Sequence, residues 1–235
     1  YGLMLNGNFI HSNFMGNGSR VGLELNGGDY FKSYNLNFSD PYRNIDGLQR
    51  TLSFSYRDIT QFTSASSDFS TTTLTSGIQW GYPISEFQTL SFGFAYQEAE
   101  MLTSSWSSAQ SMEWVRNNGN SFVVDGYTTF YGTKVQSLEL TTGWRFDSRN
   151  RFLFPTQGTQ FSLSLNATVP GSEVEYYVAS IDFTKYIPIR GPWLFKINST
   201  LSLGEGYNET TAIPPFRNFY GGGPGTVRGF KESYM

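Results

Sequence analysis

The chain has 235 residues, a formal net charge of −3, no cysteine and one histidine; 15% of its residues are charged, 17% are aromatic and 25 are glycine. The charged fraction lies well below the roughly 25% of ordinary soluble domains, yet the mean hydropathy is −0.34, so polar uncharged residues and glycine replace the missing charge. The aromatics exclude a disordered chain and the composition excludes a coiled coil; the lack of an apolar run of about 18 residues excludes a membrane-spanning helix.

From the N-terminus onward, apolar residues recur with a period of two, which predicts strands. The first seven are marked by Leu3, Leu5 and Phe9; Val21, Leu23 and Leu25; Tyr34, Leu36 and Phe38; Leu52, Phe54 and Tyr56; Leu74, Ile78, Trp80 and Tyr82; Leu90, Phe92, Phe94 and Tyr96; and Leu138, Leu140, Trp144 and Phe146. Three more follow over 159–169, 177–187 and 193–203, the first alternating Phe161, Leu163, Leu165, Ala167 and Val169 with polar residues. Ten strands are predicted in all.

The second face decides the class. A soluble sandwich turns a charged face to water. Here that face is small and weakly charged, as in Gly22, Glu24 and Asn26, or Ser91, Gly93 and Ala95. Such a face suits a polar lumen, with the apolar face against lipid. Aromatics gather near strand ends (Trp80, Tyr82, Trp144, Phe146, Tyr186, Trp193), as interfacial girdles do. The fold expected is therefore all-β: a transmembrane antiparallel β-barrel, closed because an open edge in lipid leaves backbone groups unpaired.

Short connections at 15–19, 40–47, 83–87, 147–158 and 188–192 alternate with a set that includes long ones, at 60–69, 102–133 and beyond 206. Short turns belong to the periplasmic side and long loops to the outside, so the first strand runs toward the periplasm. Residues 108–117 in the longest loop can form a short helix, with Met112 and Val115 spaced to pack on one side as a loop cap. The chain starts at Tyr1 within strand-like sequence and reaches Met235 with no terminal signal, so it reads as an excerpt of a longer protein.

Chemistry is sparse. His11 has no recognisable nucleophile or acid partner, Asp58 and Asp68 read as solvated loop carboxylates, and the glycines at 221–225 lack the Gly-Lys-Ser/Thr ending of a phosphate loop. No enzymatic activity, metal or cofactor is expected. With no basic footprint, nucleic acid is not an expected partner either. Two stretches stand out. In 143–158, Asp147 and Arg149 share one side of an extended chain, and Pro155 and Gly158 set a turn, which reads as a structural hairpin. In 215–230, Gly221, Gly222 and Gly223 allow a sharp fold-back before Val227, Arg228, Gly229 and Phe230. Arg228 is then either an incidental side chain on an exposed loop or a guanidinium seeking a carboxylate inside the lumen. Residue types alone leave both readings open.

The run Asn218, Phe219, Tyr220, Gly221, Gly222, Gly223, followed by Thr226, Val227, Arg228, Gly229 and Phe230, resembles the hallmark loop of the BamA family of outer-membrane protein assembly factors. The Asp147, Arg149, Phe154, Pro155, Gly158 hairpin is similar to that family too. So are Val169 to Ser172 with Glu175 to Tyr177, the early turn from Asn13 to Gly18, and Asp40 to Tyr42. The resemblance implies a sixteen-stranded outer-membrane barrel of Gram-negative bacteria, preceded by periplasmic POTRA domains. Residues 1–206 would supply ten of its strands, and 207–235 the start of a lumen-inserted extracellular loop. It implies folding and insertion of other barrel proteins without nucleotide, with unfolded outer-membrane proteins as clients, the bilayer as surroundings, and lipoproteins bound through the POTRA domains. The partner of Arg228 would lie on later strands. A two-partner secretion transporter or a porin-like channel is the alternative.

Overall fold

The computed structural model describes residues 3–44, 46–59, 69–125, 129–219 and 221. Its elements are β1 (Leu5–Phe14), β2 (Ser19–Gly27), β3 (Phe31–Asp40), β4 (Gln49–Ile59), β5 (Ser70–Ser85), β6 (Gln88–Thr103), α1 (Ala109–Asn117), β7 (Asn120–Val124), β8 (Phe130–Asp147), β9 (Gly158–Thr168), β10 (Tyr176–Arg190) and β11 (Trp193–Gly206), with one 3-10 turn at Pro215–Arg217. Ten strands form one antiparallel sheet in the order β1-β2-β3-β4-β5-β6-β8-β9-β10-β11, and β7 pairs with β8 off that path. Each strand therefore lies beside its predecessor, the up-and-down order that tight hairpins impose.

The ten path strands correspond to the ten predicted from periodicity. The eleventh, β7, lies inside the predicted loop 102–133. It is five residues long, and its adjacent Phe122, Val123 and Val124 do not alternate. The strands flanking this loop also reach into it, β6 to Thr103 and β8 from Phe130.

The sheet inverts the burial of a soluble protein. Leu36, Leu52, Phe54, Phe92, Phe94, Tyr96, Leu138, Leu163, Leu201 and Leu203 are all exposed. Register puts them on shared rungs, such as Leu36 opposite Phe54 and Phe94 opposite Leu140. Exposed apolar residues over a whole sheet face mark a surface meant for a nonaqueous neighbour, here the hydrocarbon of the bilayer. Aromatic contacts reinforce the pairing: Tyr34 stacks on Tyr56 across one rung at 5.8 Å, and Trp144 meets Phe161 diagonally at 5.4 Å.

The buried apolar core is small and sits on the opposite, inner face at the loop end. Ala99, Met101, Trp114, Val115, Val135, Val174 and Tyr176 form it. On the inner face, alternation stays polar or small near the turns (Ser91, Gly93, Thr141, Gly143) but turns apolar toward the outer loops, where Ala99 and Met101 of β6 oppose Val135 and Thr133 of β8. The inner face is thus mixed along its length, because the outer loops fold back onto it and need an apolar floor.

Helix α1 is the main piece of that cover. Ser108 caps it, its hydroxyl accepting from the Ser111 amide at 3.2 Å. Ser108→Ala is expected to cost about 1 kcal/mol of local stability, read as faster amide exchange in 109–112 with the strands unaffected. The sequence pattern pointed to Met112 and Val115 as the packing side; Val115 is buried, but Met112 is only half-buried and the anchor is Trp114.

Candidate functional site

The inner-face cluster at the loop end joins four parts of the chain. Gln97 on β6 and Glu139 on β8 lie on adjacent rungs, since Ala95 opposes Glu139 and Gln97 opposes Ser137. Alternation dictates their direction: Tyr96 and Leu138 point outward, so Gln97 and Glu139 point inward. Tyr176, the first residue of β10, joins them; it is 2% exposed and Glu139 is 5% exposed.

The fourth part is the segment that leaves β11. It turns back at once, with the Tyr207 amide donating to the Glu175 carbonyl at 2.8 Å. It then runs over α1, where Trp114 Nε1 donates to the Ala212 carbonyl at 3.0 Å and the Trp114 ring meets Phe216 edge-on at 6.3 Å. Asn118 at the end of α1 donates to Thr211 Oγ1 at 3.4 Å. Pro214 leads into the 3-10 turn that Pro215 opens, and the turn delivers Arg217 to the inner wall.

Arg217 closes the cluster. Its Nη2 donates to Glu139 Oε1 at 2.6 Å and to Gln97 Oε1 at 2.7 Å, and its Nε donates to the Tyr176 hydroxyl at 3.2 Å. The Tyr176 hydroxyl in turn donates to Glu139 Oε1. A carboxylate buried this far demands a counter-charge and filled lone pairs, and the guanidinium fork with the phenol provides both. Burial works against the Arg217 charge, but Tyr176 and Glu139 outweigh it and hold the guanidinium above its ordinary value. The cluster is a mechanical clamp: it fixes a returning segment to three barrel strands, β6, β8 and β10.

The sequence raised an arginine on this same returning stretch as a seeker of a carboxylate, but eleven residues later. Arg228, with Gly222, Gly223, Val227, Gly229 and Phe230, lies outside the described residues; Gly221 is half-buried. The usable signal for the observed clamp was Glu139, an acid between Leu138 and Leu140 and therefore on the inner face.

The second predicted group is the 147–158 hairpin at the turn end. Asp147 and Arg149 form a two-pronged pair, Arg149 Nε to Oδ1 at 2.8 Å and Nη2 to Oδ2 at 2.7 Å. Arg145 adds a longer contact to Asp147 Oδ2 at 3.3 Å. The Asp147 hydrogen bonds, above all, hold Arg149 above its ordinary value. Asn150 Oδ1 accepts from the amides of Thr156 and Gln157, which lie across the tip that carries Pro155. Gly158 closes the hairpin with φ 111°, and a Cβ there would fall 2.7 Å from Arg149 Cα and against the Ser148 carbonyl. That conformation is open essentially to glycine alone. Gly158→Ala is expected to cost about 1–3 kcal/mol in strain, with the clash adding to it, measured as a lowered midpoint for heat-induced unfolding of the detergent-solubilised barrel. The hairpin and the clamp occupy opposite ends of the sheet and share no residue.

Comparison with known proteins places these features. Residues 13–235 match the Omp85 superfamily domain. The outer membrane protein assembly factor BamA of Neisseria meningitidis serogroup B (strain ATCC BAA-335 / MC58) is 26% identical over 236 residues, covering 100% of this chain and 29% of that protein. The crystal structure of BamA from Haemophilus ducreyi lacking POTRA domains 1-3 superposes with a TM-score of 0.86 at 24% identity, over 99% of this chain and 44% of that one. The chain thus spans under half the length of either relative. It belongs to the Omp85 superfamily, as a stretch of BamA-like outer-membrane β-barrel.

Proposed function

We propose that this chain is the part of an outer-membrane assembly factor that folds and inserts other β-barrel proteins, without nucleotide, metal or covalent catalysis. The observation that carries this reading is the cover over the outer end of the inner face at β6, β8 and β10. Helix α1 and the 207–217 segment fill it with an apolar cluster and pin it with the Arg217–Glu139 pair. A channel needs an open polar path at that point, and a secretion pore needs a displaceable plug. A fixed cover suits a barrel whose work is done at its wall and within the bilayer.

Clients in this reading are unfolded outer-membrane proteins. They are engaged by strand addition, in which an exposed sheet edge offers its backbone hydrogen bonds to an incoming strand. Lipoprotein partners, in the same reading, bind POTRA domains rather than this stretch of barrel.

Depletion of the full-length protein tests the proposal. Loss of many unrelated barrel proteins from the outer membrane is the expected result. Loss of a single exported protein would instead favour the two-partner secretion reading, and a large unitary conductance from the purified protein would favour a channel.

A further inference from the structure

The lipid-facing side of β10 and β11 carries two cations near its turn end, where their neighbours on that face are apolar. Register sets the rungs from the turn upward: Arg190 opposite Trp193, Ile187 opposite Phe195, Lys185 opposite Ile197, then Phe183 opposite Ser199 and Ile181 opposite Leu201. Directly paired residues share a face; Lys185 lies on the side of Phe195 and Ile197, and the irregularity between Pro188 and Arg190 pairs Arg190 with Trp193 on that same side. All three partners are exposed, Trp193 to 73%.

A charge on the lipid face is tolerated near the interface and costly at the bilayer centre. It is usually met by a nearby carboxylate. Arg50, at the turn end of β4, shows that solution, with Asp40 of β3 at 3.9 Å. Among the described residues, neither Lys185 nor Arg190 has such an ion pair. The nearby acids are engaged elsewhere: Asp147 holds Arg149, and Asp182, on the inner face, accepts from Thr200 at 2.8 Å. The acid on this face, Glu205, is paired with Tyr177 at the opposite end of the strands.

We propose that Lys185 and Arg190, with Trp193 beside them, bind the phosphate headgroup of an anionic phospholipid in the periplasmic leaflet. Their rungs are separated by the four steps from Ile197 to Trp193, about 14 Å of strand at ~3.4 Å per residue. The long stems of Lys and Arg close most of that span by running along the apolar wall with their charges toward the interface. Between them, Ile187 and Phe195 offer an apolar surface for the upper acyl chain. Trp193 sits at headgroup level, where an indole is favoured. The acyl contact distinguishes a lipid from a free anion, and the two cations favour a headgroup with net negative charge over a zwitterionic one.

The test uses the full-length protein in detergent, titrated with phosphatidylglycerol or phosphatidylcholine and read by native mass spectrometry. The wild type is expected to retain phosphatidylglycerol in preference to phosphatidylcholine, and millimolar inorganic phosphate is expected not to displace it. Lys185→Gln and Arg190→Gln are each expected to weaken retention about fivefold, the value of one cation near an anionic surface. Lys196→Gln, on the inner face over the Tyr186 ring, is expected to leave it unchanged. Lys185→Arg is expected to restore binding, and heat-modifiable migration on gels checks that each variant is folded. Undiminished retention in the folded Lys185→Gln, Arg190→Gln double variant overturns the site. Displacement by inorganic phosphate, or equal retention of the two lipids, overturns its assignment to an anionic phospholipid.

Discussion

Replacing Arg217 by alanine in the full-length protein is expected to detach the 207–217 segment from the barrel wall and to lower the barrel's stability. The change leaves Glu139 facing Gln97 and Tyr176 without its cation, in a position 5% exposed. Removing one partner of a buried ion pair costs about 3–5 kcal/mol. The lower end applies here, because the Arg217 side chain keeps 35% of its exposure and water screens part of the attraction. Most of that cost is the stranded carboxylate rather than the lost contact, so Arg217→Met combined with Glu139→Gln should recover much of the stability. Limited proteolysis within 207–217 and the midpoint of heat-induced unfolding report the two quantities separately. An Arg217→Ala protein with wild-type protease resistance and a wild-type midpoint would show that the clamp holds nothing.

The lipid-facing half of the fold was legible because one physical rule governs it along every strand. Alternation puts every second residue in hydrocarbon, and that requirement is written locally, as in Phe161, Leu163 and Leu165. Short turns then force neighbours in sequence to be neighbours in the sheet, so topology followed as well. The inner face obeys no such rule. Its residues answer to whatever folds back onto them, and those partners are remote: Gln97 and Arg217 are 120 residues apart, Glu139 and Arg217 are 78 apart. Periodicity says that Gln97 and Glu139 point inward, but carries no information about which of the later arginines meets them. For the same reason the spacing put Met112 with Val115 on the packing side of α1, while Trp114 became the anchor through contacts with residues 212 and 216. The hairpin at 147–158 was the opposite case. Its determinants lie within a dozen residues, and a close Asp–Arg pair with a glycine at the required φ is local information.

Trp114→Ala tests whether α1 and Arg217 act on the same segment. The indole is 3% exposed and packs edge-on against Phe216. Truncating a buried aromatic to alanine costs about 3–5 kcal/mol through lost transfer energy and the cavity left behind. The Ala212 carbonyl also loses its donor. Trp114→Phe separates the two contributions: it retains most of the apolar contact, forfeits the hydrogen bond, and should cost only about 1 kcal/mol. Both variants should increase protease cleavage near 212–217 while the β1–β6 strands keep their exchange protection. Because Trp114 and Arg217 hold opposite flanks of one short segment, their effects should not add. Once α1 has released Ala212 and Phe216, the 3-10 turn no longer presents Arg217 to Glu139, so the second substitution removes an interaction already weakened. A double variant whose loss equals the sum of the singles would mean that the helix and the arginine secure independent elements, and that the outer cover is two pieces rather than one.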